Sequence, residues 1–368
     1  MKRVVSAILL AILLTSMLYS AFKTMPADAA GSIYIRADGS IDPPTAPIFR
    51  DGDTYTFTDN VSDGAIVVER NNVVVDGAGY TLQGLGSGNG IYLSGRSNVT
   101  IKNTTIKNNY YGILLYSSSN NSIFGNNITA NNGYGIRLEY SSNYNSISGN
   151  NITANNYYGI LLYSSSNYNS ISGNTITNNK DGIVLSSSSS NSIFGNNITA
   201  NNGYGILLDS SSNNSISGNN ITANNGYGIS LWYSLNNSIF HNNFINNAQQ
   251  AYSSDSVNVW DDGYPSGGNY WSDYTGVDAN GDGIGDTPYI LDVQNVDNYP
   301  LMQPFTKIQI PGDINHDGVV NIVDIVIVAL EFGHPPPPIV DLRADVNKDG
   351  LVNIIDIVIV AIHFGETG

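Results

Sequence analysis

The sequence predicts an all-β chain, a right-handed parallel β-helix solenoid, with a small α-helical module at its C-terminus. Three observations predict this. A Gly-Ile step recurs at Gly90, Gly112, Gly135, Gly159, Gly182, Gly205 and Gly228, at spacings of 22, 23, 24, 23, 23 and 23 residues, which is the signature of a stacked repeat. Within one repeat, "GIRLEYSSNYNSISGNNITANN", Ile136 and Leu138 alternate with polar residues and Ile147 and Ile152 mark two further short runs, a period of two that belongs to strands. Finally, "DINHDGVVNIVDIVIVALEFG" from Asp313 returns as "DVNKDGLVNIIDIVIVAIHFG" from Asp345.

The N-terminus comes first in chain order. Lys2 and Arg3 precede an apolar run from Val4 to Leu18, and Ala27 and Ala29 supply small residues before Ala30, the layout of a cleaved export signal over residues 1–29. An uncleaved membrane anchor is the alternative. The formal charge is −16, and loss of three bases and one acid with residues 1–29 makes it −18, which argues against nucleic acid or anionic lipid as partner. The chain has no cysteine, so an exported protein of this sequence relies on packing, backbone pairing or metal ions. No further segment reads as membrane-spanning, and none is expected to hold the protein to a membrane once the signal is removed.

Residues 30–60 are expected to form a lead-in and cap, and residues 61–247 the solenoid proper, its early rungs carried by Ile66, Val68, Val73 and Val75. Three short strands per turn joined by Asn- and Gly-rich bends describe a parallel β-helix, with right-handed crossovers. One rung's four aliphatics bury too little surface to order 23 residues alone, so the rungs must form together. The column Asn126, Asn150, Asn174, Asn196, Asn219 and Asn242 reads as an amide ladder. The N-I-T triplets at Asn127, Asn151, Asn197 and Asn220 are also formal glycosylation acceptors. Residues 248–303, aromatic and rich in Gly and Asp, are expected to close the lower end.

These rungs, with "VVVDGAGYTLQG" before them and "GGNYWSDYTGVDANGDGIGDTPY" after them, resemble the NosD-like right-handed β-helix family with PbH1-type repeats, over about residues 50–303. That family carries the label periplasmic copper-binding and is grouped with carbohydrate-binding proteins and sugar hydrolases. Copper needs soft or imidazole ligands. Past the signal the chain offers Met302, His241, His316, His334 and His363, and His241 alone lies on the solenoid, so copper is not expected.

Counting from each Gly-Ile glycine, the fourth residue on is Ser94, Tyr116, Glu139, Tyr163, Ser186, Asp209 and Trp232. Tyr116, Glu139, Tyr163, Asp209 and Trp232 are candidate sugar contacts, with simple aromatic cover of a β surface as the alternative. Glu139 and Asp209 lie three rungs apart, about 14 Å at ~4.7–4.9 Å per strand, too far for a hydrolytic carboxylate pair. The β-helix lyases and polygalacturonases use clustered aspartates with basic partners, whereas the charged groups from Ser97 to Asn247 are Lys102, Lys107, Arg137, Glu139, Lys180, Asp181 and Asp209. Adjacent Lys180 and Asp181 read as a solvated surface pair. If the chain is catalytic, Glu139, Asp181, Asp209, Asp261 and Asp262 are the residues to test.

A linker at residues 304–312 leads to residues 313–368. In the first acidic loop Asp313, Asn315, Asp317, Asn321 and Asp324 stand at positions 1, 3, 5, 9 and 12, Val319 offers a carbonyl at 7, and Gly318 sits at the turn, the spacing of an EF-hand-like calcium loop. Asp345, Asn347, Asp349, Leu351, Asn353 and Asp356 repeat it. The terminal Asp, and a single helix expected after each loop despite its β-branched residues, make Asp313 to Phe364 resemble a type I dockerin. The resemblance implies two calcium ions, collapse without them, and a cohesin-bearing partner contacted through Ile322, Val323, Ile354 and Ile355, unless those four are buried. "HPPPP" from His334 is a stiff spacer. A third loop, Asp278, Asn280, Asp282, Ile284 and Asp286, is a weaker calcium candidate because Tyr289 occupies position 12, unless Asp292 or Asp297 reaches in.

The favoured expectation is a secreted or cell-surface component that binds polysaccharide or acts as a rigid scaffold, attached through cohesin. The rival is a glycoside hydrolase or polysaccharide lyase of a cellulosome-like complex engaged in polysaccharide catabolism. A third is an S-layer-type structural protein.

Overall fold

The computed structural model describes residues 31–306, 314, 320–332, 344, 346 and 351–365. The expected export signal lies outside the described residues. Residues 31–306 form a parallel β-helix built from three sheets of 11, 10 and 10 strands. In each full turn the chain passes once through every sheet, as in Tyr111–Tyr116, Ser122–Phe124 and Asn127–Thr129, and each strand pairs in parallel with its counterpart one turn on. The inward residues of that turn, Ile113, Leu115, Ile123 and Ile128, are wholly buried, so the core is a column of aliphatics four to a rung.

The corners are held by amides. Asn126 Nδ2 donates to Asn150 Oδ1 at 3.0 Å, and the same oxygen accepts the Asn126 backbone N–H at 3.0 Å. The ladder runs on through Asn174, Asn196, Asn219 and Asn242. The structure adds two further asparagine ladders, through Asn145 and through Asn155, and a serine ladder from Ser118 to Ser142. Each satisfies backbone donors that the bend takes out of sheet pairing.

The recurring glycine has a spatial cause. A Cβ on Gly159 would stand 2.7 Å from the Gly182 carbonyl oxygen and 2.7 Å from Ile176 Cγ2, so the chain must turn into the next rung without a side chain. Gly149, by contrast, needs its glycine for a left-handed backbone, with φ +61°.

The first sheet begins within residues 30–60, the expected lead-in, ahead of the solenoid expected from residue 61. Ile33–Ile35 already pairs in parallel with Ile66–Val68, while Ile41–Asp42 and Ile48–Asp51 turn back antiparallel over the top. At the other end Phe244, Trp271 and Tyr289 stack in succession, at 4.5 and 4.2 Å between centroids. Trp260 and Trp271 are buried there and seal the aliphatic column.

In the C-terminal module, α1 (Ile322–Glu331) and α2 (Ile354–Ile362) are helices. Asn321 and Asn353, the ninth loop residues, are their N-caps, and Asp324 and Asp356 complete reciprocal capping boxes. That cap outweighs the β-branched composition of the segments. The module has its own core, with Val320, Val328, Val352 and Val360 at its centre.

Candidate functional site

The outer face of the first sheet carries a group of tyrosines. Strand pairing sets Ser94, Tyr116, Glu139, Tyr163, Ser186, Asp209 and Trp232 side by side on successive rungs, as counting from the glycines predicts. A second column on the same face runs Tyr111, Tyr134, Tyr158 and Asp181, with Tyr158 paired directly to Asp181. Between them lie Leu114, Arg137 and Leu161. Leu114 and Leu161 face outward yet are buried, covered by the tyrosines on either side.

Arg137 stands at the centre. Its guanidinium forms an ion pair with Glu139, donates to the Tyr111 hydroxyl at 3.3 Å, and lies 5.3, 5.3 and 5.6 Å from the rings of Tyr111, Tyr134 and Tyr163. Its Nε is buried with no hydrogen-bond partner. Tyr134 stacks on Tyr111 at 5.3 Å and on Tyr157 at 5.7 Å. Burial pushes its hydroxyl up to about 12, so it remains a neutral donor. On the opposite rim Tyr140 lies 4.8 Å from Tyr116 and 6.5 Å from Tyr163. The result is an aromatic bank about three rungs long, with an apolar floor and one neutralised cation.

The carboxylates proposed as catalytic are not brought together. Three rungs separate Glu139 from Asp209 in the register. Asp181 lies in the other column and, contrary to the expectation of a solvated pair, is buried. Its Oδ1 accepts the Tyr204 N–H at 2.7 Å, and burial raises its pKa. The reason is its place as the first residue of strand Asp181–Ser186, where the rungs on both sides cover it. Asp261 accepts from Asn298 N at 3.0 Å and Nδ2 at 2.9 Å, and Asp262 accepts from Ser266 Oγ at 2.8 Å, so both brace the lower cap.

Of the calcium-loop residues, Asp313, Asn315, Asp317, Val319, Asp345, Asn347 and Asp349 lie outside the described residues. Asp324 and Asp356 are fully buried. Asp324 accepts the N–H groups of Ile314 and Asn321 at 2.7 and 2.8 Å, and Asp356 those of Val346 and Asn353 at 2.8 and 2.9 Å. Two buried carboxylates in equivalent settings, at the ends of all-oxygen donor sets, fit calcium. Asn321 and Asn353 use their side-chain oxygens to cap Val323 and Ile355, which suits a position that reaches the ion through water. Leu351 is exposed, as are Ile322 (61%), Val323, Ile354 (60%) and Ile355, so the four apolar residues are not consumed by the module's core.

The third loop is folded on itself. Asp278 accepts from Gly281 N and Gly283 N at 2.6 and 2.9 Å, Asp282 from Ile284 N at 2.9 Å, and Asp286 from Ala279 N at 2.7 Å. Among the described residues no group of three or more His, Cys, Asp or Glu side chains is gathered to hold a metal ion.

Asp297, which the sequence offers with Asp292 as an acid that could reach into the third loop, has a different place, in the lower cap. Asp297 is fully buried and accepts from Asn269 N, Trp271 Nε1 and Tyr299 N at 2.8, 2.8 and 3.1 Å. Burial pushes its pKa up to about 6. Nothing in "QNVDNYP" marks it out from its acidic neighbours.

Comparison with known proteins accords with this architecture. The family described as periplasmic copper-binding protein (NosD) matches residues 54–198 and 134–276, and the dockerin type I domain matches residues 311–364. None of the curated proteins compared with the chain matches it. Similar solved structures include the periplasmic alginate epimerase AlgG (17% identity, 62% of this chain and 72% of that one, TM-score 0.44). Another is the Azotobacter vinelandii mannuronan C-5 epimerase AlgE6 A-module (18%, 55% and 65%, 0.45). A third is pectate lyase Pel9A (16%, 56% and 65%, 0.36).

The family's description implies copper, but the donors here do not fit it. The chain has no cysteine. His241, on the solenoid, has its Nε2 2.9 Å from the Ser266 carbonyl oxygen and its ring stacked on Phe305 at 4.3 Å. His316 and His334 lie outside the described residues, and His363 caps the end of α2. No helix of the described residues is long and apolar enough to cross a membrane. By the extent of these matches, the chain belongs to the NosD family and carries a C-terminal type I dockerin domain.

Proposed function

We propose that the protein is an exported, non-catalytic polysaccharide-binding solenoid that its dockerin attaches to a cohesin-bearing partner when calcium is bound. The observation that carries the reading is the aromatic bank around Arg137 and Glu139. A nearly neutral solenoid has no structural need to place an arginine with an orphaned Nε under three tyrosine rings on its outer face. Phenol hydroxyls and the guanidinium supply donors to sugar hydroxyls, and the rings supply apolar area. The separation of Glu139, Asp181 and Asp209 supports binding over cleavage.

At the other end, calcium would be held by Asp313, Asn315, Asp317, the Val319 carbonyl and Asp324, and by Asp345, Asn347, Asp349, the Leu351 carbonyl and Asp356, with Asn321 and Asn353 behind water. The ion neutralises the crowded acids. The chain's own part is to start α1 and α2 at the caps and to expose Ile322 and Val323, with Ile354 and Ile355 in the equivalent place, to the partner.

Affinity electrophoresis of the calcium-loaded protein through gels containing soluble polysaccharides tests the first half. Retardation by at least one glycan is expected, weakened by Tyr134→Ala. Release of reducing sugar or unsaturated product, abolished by Glu139→Gln or Asp181→Asn, would instead make it an enzyme.

A further inference from the structure

Two consecutive turns depart from the repeat. Between the last outward residue of a first-sheet strand and the next ladder asparagine the chain takes five steps from Tyr116 to Asn121, from Ser186 to Asn191 and from Asp209 to Asn214. It takes six from Glu139 to Asn145 and from Tyr163 to Asn169. The extra residue gives each longer turn a third left-handed position, so that two now stand together at its start, Tyr140 with Ser141 and Ser164 with Ser165.

Both longer turns place a tyrosine, Tyr144 or Tyr168, immediately before the ladder asparagine, at φ 56° in each case. The equivalent residues of other rungs are Asn98, Asn120, Ser190, Asn213 and Asn236, all with positive φ. Asparagine tolerates that backbone, whereas a bulky ring in it is strained. The two rings stack at 5.1 Å with planes 7° apart, yet remain 58% and 55% exposed. Asn120 on one side and Ser190 on the other are too small to cover a phenol ring, so each ring keeps an open face. Both rings stay outside the core.

We infer that the Tyr144–Tyr168 stack is a ring-stacking platform for an uncharged pyranose, an anchor point for the glycan that lies on the adjoining bank. The inference rests on the polysaccharide-binding reading and adds the ligand's class. The C–H face of a pyranose packs on an open aromatic face. The neighbouring residues Asn143, Asn167, Ser165 and Ser189 carry amides and hydroxyls and no charge, the Asn143 and Asn167 oxygens being bonded to the Asn167 and Ser189 N–H groups. The adjoining first-sheet strands set Arg137, already paired, against Glu139, Asp209 and the buried Asp181, and Lys180 stands beside them with its ammonium 5.9 Å from the Tyr157 ring. Three acids against two bases leave this face without a surplus of positive charge to hold a uronate chain, which has a carboxylate on every sugar, and a neutral glycan needs none.

The test is affinity electrophoresis of the full chain against neutral polysaccharides (a mixed-linkage β-glucan, a xylan, a galactomannan) and uronates (alginate, polygalacturonate), with calcium and with a chelator. Wild type is compared with the Tyr144→Asn/Tyr168→Asn double variant, which restores the residue that other rungs carry and so keeps the fold. The expected result is binding to a neutral glycan, weakened about tenfold in the double variant, with an unchanged or higher thermal midpoint. Undiminished neutral-glycan binding by the double variant, binding confined to uronates with or without calcium, or tyrosine-dependent self-association in sedimentation would overturn the platform while leaving the broader reading standing. Failure of wild type to bind any glycan would overturn both.

Discussion

The Asp297 carboxylate accepts a 2.8 Å hydrogen bond from Trp271 Nε1 beneath the last turn of the solenoid, where both residues are buried. An acid raised to about 6 by burial binds its proton more tightly in the folded state than in the unfolded chain. Stability from this group is therefore greatest in acid and falls as pH rises from about 4 to about 6, by up to about 3 kcal/mol. Denaturation of wild type and Asp297→Asn across that window checks it: the wild-type midpoint should fall relative to the variant's with rising pH. Parallel curves would remove the carboxyl from the account.

Two glycines separate the two causes of their use. Gly159→Ala drives a methyl into Gly182 and Ile176 and should cost about 2–3 kcal/mol as overpacking. Gly149→Ala has open space around it but a φ of +61°, and should cost about 1 kcal/mol. Urea unfolding of both variants should rank them in that order.

The Asn174 side chain donates to Ile147, Ser172 and Asn196 Oδ1 and accepts twice from Asn150. Asn174→Ala leaves several buried groups unpaired, and a loss of about 3–4 kcal/mol is expected in chemical denaturation. An exposed amide such as Asn151 should change by less than about 1 kcal/mol.

Chelation should act on one part of the chain. Removing calcium is expected to abolish the helical circular dichroism of α1 and α2 and leave the strand signal of residues 31–306 intact, because the two have separate cores. Asp324→Ala with Asp356→Ala should reproduce that loss in calcium.

Much of this was legible in one sequence because a solenoid repeats its chemistry at a fixed interval. The Gly-Ile period located every first-sheet strand from Asn89 to Trp232, and the position-four column came out in register. The loop spacing located Asn321 and Asn353 as the points where helices begin. Less legible was anything decided by which way a bend turns. The amides at Asn145 and Asn155 look like loop polarity until the bends aim them inward. Asp181 reads as solvated beside Lys180 until neighbouring rungs cover it. Tyr144 and Tyr168 lie off the counted column, although the one-residue lengthening of their turns is visible in the spacing and could have found them. Asp297 could be read only as a possible acid of the third loop, since its burial depends on Trp271 arriving from a distant segment.

The most direct test of the account is the binding of the intact protein to soluble neutral polysaccharide, measured by isothermal titration in calcium and again in chelator. The account predicts glycan binding of similar affinity in both, with the α1 and α2 helices lost only in chelator. Absence of glycan binding in calcium, or binding that vanishes together with the helices, would contradict it.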